Sequence, residues 1–129
     1  MVKNILNTGN IAGTVKATKN NKFSKEVQEF QKAAIKDGFK LDSGADGIWG
    51  SECETVAKVA ICANRGKNDY RYKNLTKIVQ KTIGFTGTAV DGLFGASTEK
   101  ALIKYQQKHK ISADGKAGLN TWKKILGVI

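Results

Sequence analysis

The chain has no proline, two cysteines and one histidine among its 129 residues. It also has no apolar run approaching the roughly 20 residues that span a bilayer. Without proline, no helix is interrupted by a missing N–H, and the 14 glycines must make the sharp turns. One histidine, His109, and no close cysteine pair leave the common zinc sites unsupplied, so neither a metal nor a cofactor is expected. The lack of a long apolar run excludes a membrane-spanning segment. The opening MVKNILNTGN lacks the apolar core of a secretory signal, so synthesis in the cytoplasm without self-directed export is expected. Arginine is scarce as well. Lys+Arg total 22 against 11 Asp+Glu, a net charge of +11, yet only Arg65 and Arg71 are arginines and the excess is spread evenly along the chain. Diffuse lysine attracts polyanions at long range, whereas phosphate and base readout lean on arginine forks. An anionic polymer surface therefore fits better than a nucleic acid read by sequence.

With 40% hydrophobic residues the composition is that of a globular protein, long enough for one compact domain or two very small ones. Residues 1–22, rich in Asn, Thr, Lys and Gly, read as a linker or N-terminal extension. Beyond them an internal repeat dominates. Asp46-Gly47-Ile48-Trp49-Gly50, Asp91-Gly92-Leu93-Phe94-Gly95 and Asp114-Gly115-Lys116-Ala117-Gly118 share the pattern D-G-x-x-G. The residue seven past the aspartate is Thr98 or Thr121 in two copies and Cys53 in the other. The spacing calls for a further copy at Asp69, followed by Thr76, although Tyr70 and Lys73 replace its glycines.

Each copy precedes residues with helical periodicity, and an earlier helix runs from Ser24 to about Lys36 with Gly38 as its C-terminal stop. Ser51 with Glu54 reads as a capping box, and Gly84 ends a helix starting near Asn74. Cys53 and Cys62 fall on one predicted helix, about 13 Å apart along its axis, too far for a disulfide, so both are expected as free thiols. The reading is five short helices joined by glycine turns, each marginal alone and dependent on packing against the others. In the turn, the aspartate accepts an N–H two residues on and the first glycine takes positive φ. The second glycine caps the next helix or allows close approach, and Thr98 and Thr121 reach back to the loop aspartate.

Residues Val90 to Leu126 resemble the type 1 peptidoglycan-binding domain, a small three-helix module. The resemblance rests on a leading helix with Gln80, the turn D-G-L-F-G-A-S-T, the Tyr105-Gln106 pair, the turn D-G-K-A-G-L-N-T and Trp122, and it spans about residues 74–127. Residues 24–62 look like part of a second copy, with Phe30-Gln31 and the Asp46 turn, but with Cys53 for Thr and a longer loop before Asp46. The implied architecture is all-α: tandem modules, a degenerate repeat at 23–66 and a complete one at 67–129. The implied role is a non-catalytic module that binds peptidoglycan, targets a fused or associated endolysin or wall hydrolase to murein, and acts at the wall once the membrane is breached. Teichoic acids, held by the lysine charge, are a second expected partner. Glycan and stem peptide call for aromatic walls with a few amide or carboxylate partners. The candidate ligand-contacting set is Asp46, Gly47, Trp49, Gln80, Asp91, Gly92, Phe94, Tyr105, Gln106, Asp114 and Trp122.

Two rivals remain. A small wall hydrolase would need a Cys–His pair or two carboxylates across a cleft, and the chain offers Cys53, Cys62, His109, Glu52, Glu54 and Glu99 in helical contexts. No catalytic residue is expected. A basic nucleic-acid-binding helical domain would draw on the basic and aromatic residues interleaved from Asn64 to Lys73, but no zinc spacing or recognition helix accompanies them.

Overall fold

The computed structural model describes residues 22–66 and 71–129, so most of the expected N-terminal extension and the turn at Asp69 and Tyr70 lie outside the described residues. Among the described residues the protein is all-α. Its helices are α1 (Lys25–Lys36), α2 (Ser51–Val59), α3 (Lys73–Thr82), α4 (Ala96–Lys108) and α5 (Leu119–Ile125), with one 3-10 turn at Gly87–Ala89 between α3 and α4.

Local sequence accounts for most of the boundaries. Ser24 caps α1 through its hydroxyl, which accepts the Val27 N–H at 3.2 Å. The helix stops where Gly38 adopts φ +105° and Phe39 N–H turns back to the Ala34 carbonyl. Gly84 ends α3 in the same way at φ +103°. Helices α2, α4 and α5 begin on Gly50, Gly95 and Gly118, all extended N-caps without a side-chain bond. A Cβ added at any of these three would meet nothing within 4 Å, so the second glycine of each turn is a cap and not a point of close approach.

Two expectations are corrected. Ser51 and Glu54 form no capping box, because Gly50 is the N-cap and the Glu54 carboxylate is engaged elsewhere: it accepts the Trp49 indole N–H at 2.9 Å and pairs with Lys123 at 2.9 Å. The Lys123 ammonium and then the indole hold the Glu54 carboxyl below its usual range, and the pair ties α2 to α5. Cys53 and Cys62 do not share a helix. α2 ends at Val59, and the chain runs extended through Cys62, which forms an isolated antiparallel bridge with Ala117. Both thiols are free and buried.

An unforeseen contact starts α3. Asp37, just past α1, accepts the backbone N–H groups of Asn74 at 3.0 Å and Leu75 at 2.8 Å, and the Asn74 side-chain amide at 2.9 Å. A carboxylate at a helix N-terminus satisfies orphan donors and complements the helix dipole, so one end of α1 caps the beginning of α3.

Helix α1 packs on α3 and α2 on α5. One buried cluster draws on every helix: Val27, Phe30 and Ala34 from α1, Cys53, Val56 and Ala57 from α2, Leu75 and Val79 from α3, Leu102 from α4 and Trp122 from α5. Phe30 sits at its centre, edge-on to Trp122 at 4.9 Å between ring centroids and 5.8 Å from Trp49. Residues 23–66 and 67–129 therefore share a core. Trp122 is fully buried, and its indole N–H has no hydrogen-bond partner among the described residues, so it contributes volume and ring contact. Trp122→Ala is expected to cost about 3–5 kcal/mol. Circular dichroism and Trp49 fluorescence should still follow one coincident denaturation transition.

Candidate functional site

Three buried glutamines organise the three Asp-Gly turns. Gln31, Gln80 and Gln106 are 3%, 1% and 0% exposed. The Gln106 Nε2 shares its two hydrogens among three acceptors, Asp114 Oδ1 at 3.1 Å, the Lys116 carbonyl at 2.9 Å and Thr121 Oγ1 at 3.1 Å. Its Oε1 accepts the Gly115 N–H at 2.9 Å, and Asp114 Oδ1 accepts the Lys116 N–H at 2.9 Å. Gln80 repeats the pattern on Asp91, the Leu93 carbonyl, Thr98 and the Gly92 N–H, at 3.0 to 3.1 Å. Gln31 repeats it on Asp46, the Ile48 carbonyl and the Gly47 N–H, with Cys53 Sγ at 3.4 Å standing where the other copies have a threonine hydroxyl.

Each clasp needs a side chain that donates and accepts at once, which is what a primary amide offers. Positive φ at the middle glycine lets its N–H face the amide oxygen; at Gly92, φ is +79° and an added Cβ would lie 2.9 Å from the Lys73 carbonyl oxygen. The Asx turns expected at Asp46, Asp91 and Asp114 are present. Thr98 and Thr121 bond the glutamine amide instead of the loop aspartate, because the amide lies between them. The Ile48 N–H and the Gln31 amide hold the Asp46 carboxyl below its usual range, as the Gln80 amide and the Leu93 N–H do for Asp91.

The clasps settle where the candidate residues lie. Of the candidate wall aromatics, Trp49, Phe94 and Trp122 turn into the core at 5%, 2% and 0% exposure, which for Trp122 is what its helical spacing with Leu119, Ile125 and Leu126 implies. Gln80, Gln106, Gly47 and Gly92 are buried within the clasps. Asp46, Asp91 and Asp114 remain exposed, and Tyr105 is half-buried. Two surface clefts take in Asp91 and Tyr105, whereas Asp46 and Asp114 line neither. One, of about 330 Å³, lies between Phe85 and Ala89 on one side and Gly95 to Thr98 on the other, with Asp91 and Leu93 at its base. The other, of about 420 Å³, is lined by Ile83, Gly84, Ala101, Lys104, Tyr105, Lys108 and His109. His109 packs at a tilt against Tyr105, with 4.2 Å between ring centroids. Burial raises the Tyr105 phenol above its usual range.

Together the clefts are lined by Ser97 with its hydroxyl, the Asp91 carboxylate, Phe85, Tyr105 and the two lysines Lys104 and Lys108. Phe85, Ala89 and Ser97 were not singled out from sequence; the signal was their position on either side of the Asp91 turn.

The groups weighed for catalysis are engaged otherwise. Burial pushes the Cys62 thiol up to about 12 and raises that of Cys53, the reverse of an activated nucleophile. Glu54 pairs with Lys123, and Glu52 holds a loop. Among the described residues no group of three His, Cys, Asp or Glu is placed to hold a metal. In the basic and aromatic stretch, Arg65 bonds the Ile61 carbonyl and lies 5.9 Å from the centre of the Tyr72 ring, which stacks on Phe39. Residues 67–70 of that stretch are outside the described residues.

The clasp chemistry can be tested without a ligand. Gln106→Leu leaves buried donors and acceptors unpaired and is expected to cost about 1–3 kcal/mol in chemical denaturation. Cys53→Thr supplies the hydroxyl that the other two clasps use and is expected to add about 0.5–1.5 kcal/mol. The same denaturation curves measure both.

Residues 81–125 match the model of a family described as a putative peptidoglycan binding domain. The match begins just after Gln80, covers the end of α3, the 3-10 turn, α4 and α5, and contains the second and third Asp-Gly turns. Comparison with curated proteins gave no match, and neither did comparison with solved structures. No helix among the described residues is long and apolar enough to cross a membrane. The family match supports peptidoglycan binding, with action at the cell wall, and the family is one of binding domains.

Proposed function

We propose that this chain is a non-catalytic module that holds a wall hydrolase, such as a phage endolysin, on bacterial murein. Residues 23–66 would be a degenerate repeat and 67–129 the complete one. The observation that carries the reading is the coincidence of the family match with the clefts: residues 81–125 include every residue lining the two clefts except Gln80. The chemistry is compatible with murein. Glycan hydroxyls and N-acetyl groups suit the amides, hydroxyl and carboxylate beside Asp91, and stem-peptide carboxylates suit Lys104 and Lys108 beside Tyr105. The ligand-contacting set then centres on Asp91 and Tyr105. Gln80, Gln106, Gly92, Phe94 and Trp122 shape the surface from below, as Gly47 and Trp49 do in the first repeat, and Asp46 and Asp114 hold their own turns at the surface.

The net charge of +11 adds proximity to anionic teichoic polymers. Lys100, Lys104 and Lys108 recur at four-residue intervals on α4 and are exposed, which aligns part of that charge beside the second cleft. This attraction is screened by salt, whereas contacts within a cleft are much less so.

Cosedimentation of the whole chain with purified sacculi tests the reading. Binding is expected before and after teichoic acid removal, weaker but persistent in molar salt. Ala89→Trp fills the first cleft without touching a clasp and should weaken binding by about tenfold or more, which corresponds to a loss of about 1.4 kcal/mol. Loss of all binding at moderate salt, or equal binding by Ala89→Trp, defeats it.

A further inference from the structure

The register of the repeated turns permits a comparison of their surroundings. The cleft beside the second clasp opens between the loop that follows α3 and the first turn of α4, where Ser97 lies six residues past Asp91. In the first repeat the residue six past Asp46 is Glu52, in the first turn of α2. Its carboxylate reaches the loop that follows α1: one oxygen accepts the Asp42 N–H at 2.6 Å, the other the Ser43 N–H at 3.1 Å and the Ser43 hydroxyl at 2.6 Å. The two banks that stand apart in the second repeat are thus tied together in the first. The longer loop before Asp46 supplies the span, and Gly44, at φ +65°, turns the chain back toward Asp46. The third repeat has only residues 109–113 between α4 and Asp114 and no counterpart of the 3-10 turn that walls the cleft. Its turn is also covered from the other side, where Ala117 N–H and carbonyl both pair with Cys62.

We propose that Glu52 is a latch that closes the first repeat's counterpart of the cleft over its own loop, so that each chain carries a single murein-binding site, the neighbouring clefts at Asp91 and Tyr105. The inference rests on the functional reading above and deepens it. Bidentate capture of two backbone N–H groups and a hydroxyl by one carboxylate is charge-assisted and well directed. The latch is nevertheless a surface contact, so removing it opens the loop without dismantling the clasp beneath, which is held by Gln31.

The full chain, isotopically labelled, is titrated with a soluble disaccharide-peptide released from sacculi, with amide shifts and calorimetric stoichiometry read together. In the wild type a single fragment should bind per chain, with shifts concentrated at residues 82–109 and few at 41–53. Glu52→Ala should add a second, weaker binding event with new shifts at 41–53 and leave the first unchanged. Ser43→Ala, which removes only the hydroxyl contact, should move part of the way and guards against a folding defect in the first variant. Two equivalent events in the wild type, or a Glu52→Ala protein that still takes one fragment, overturn the latch while leaving murein binding intact. If the fragment and sacculi both fail to bind any of the three proteins, the functional reading and the latch fall together.

Discussion

A primary amide buried beneath each Asp-Gly turn is the interaction on which the rest of the structure depends. A tight turn packed against a helix hides peptide groups from water, and each hidden donor or acceptor costs free energy unless it is paired. Gln31, Gln80 and Gln106 each pair a turn N–H, a turn carbonyl and the aspartate that shapes the turn. Of the other side chains only asparagine carries the same primary amide, with two donors and a carbonyl, and asparagine is a methylene shorter. Because each glutamine comes from the preceding helix, and Thr98, Thr121 or Cys53 from the next, the clasp fixes the relation of two consecutive helices as well as the turn between them. Helices this short gain order from such tertiary bonds and not from intrinsic propensity.

The clasps are alike, but what lies around them is not. The aromatic slot between the turn glycines holds Trp49 in the first copy and Phe94 in the second; in the third it holds Ala117, small enough for the extended chain at Cys62 to pair with its backbone. Asp37 caps the start of α3, and Thr76, where the other copies have their clasp threonine, lies beside the buried Cys62 thiol. A common polar kernel thus leaves its flanks free to diverge, and divergence of the flanks is what distinguishes an open cleft from a closed one.

The sequence was legible wherever structure is set by a few neighbouring residues. Positive φ at Gly47, Gly92 and Gly115, the Asx turns, the Ser24 cap and the glycine stops at Gly38 and Gly84 all follow from local chemistry. Non-local pairing was not legible. The capping box at Ser51 and Glu54 satisfied its local pattern, yet Glu54 finds Trp49 and Lys123, a partner from the far end of the chain. Cys62 had helical neighbours, but α2 gives way where Ala117 offers a bridge. The loop positions of Trp49 and Phe94 beside glycines left wall and core equally open, whereas a large ring above an apolar helix face is most stable turned inward. The clefts were the least visible feature, because they are spaces left by loop length and not residues with a signature.

The shared core also has a consequence for protein engineering. Phe30 completes the packing of Trp122, Glu54 anchors Lys123, and the strand-like stretch at Cys62 braces the last turn. The segment that the family profile recognises is thus supported by side chains from outside its limits. A fusion built by cutting at the profile's edges would carry an apolar face stripped of its cover, prone to self-association. A transferable cassette has to include α1 and α2 along with the matched segment, so its boundaries are set by buttressing and not by homology.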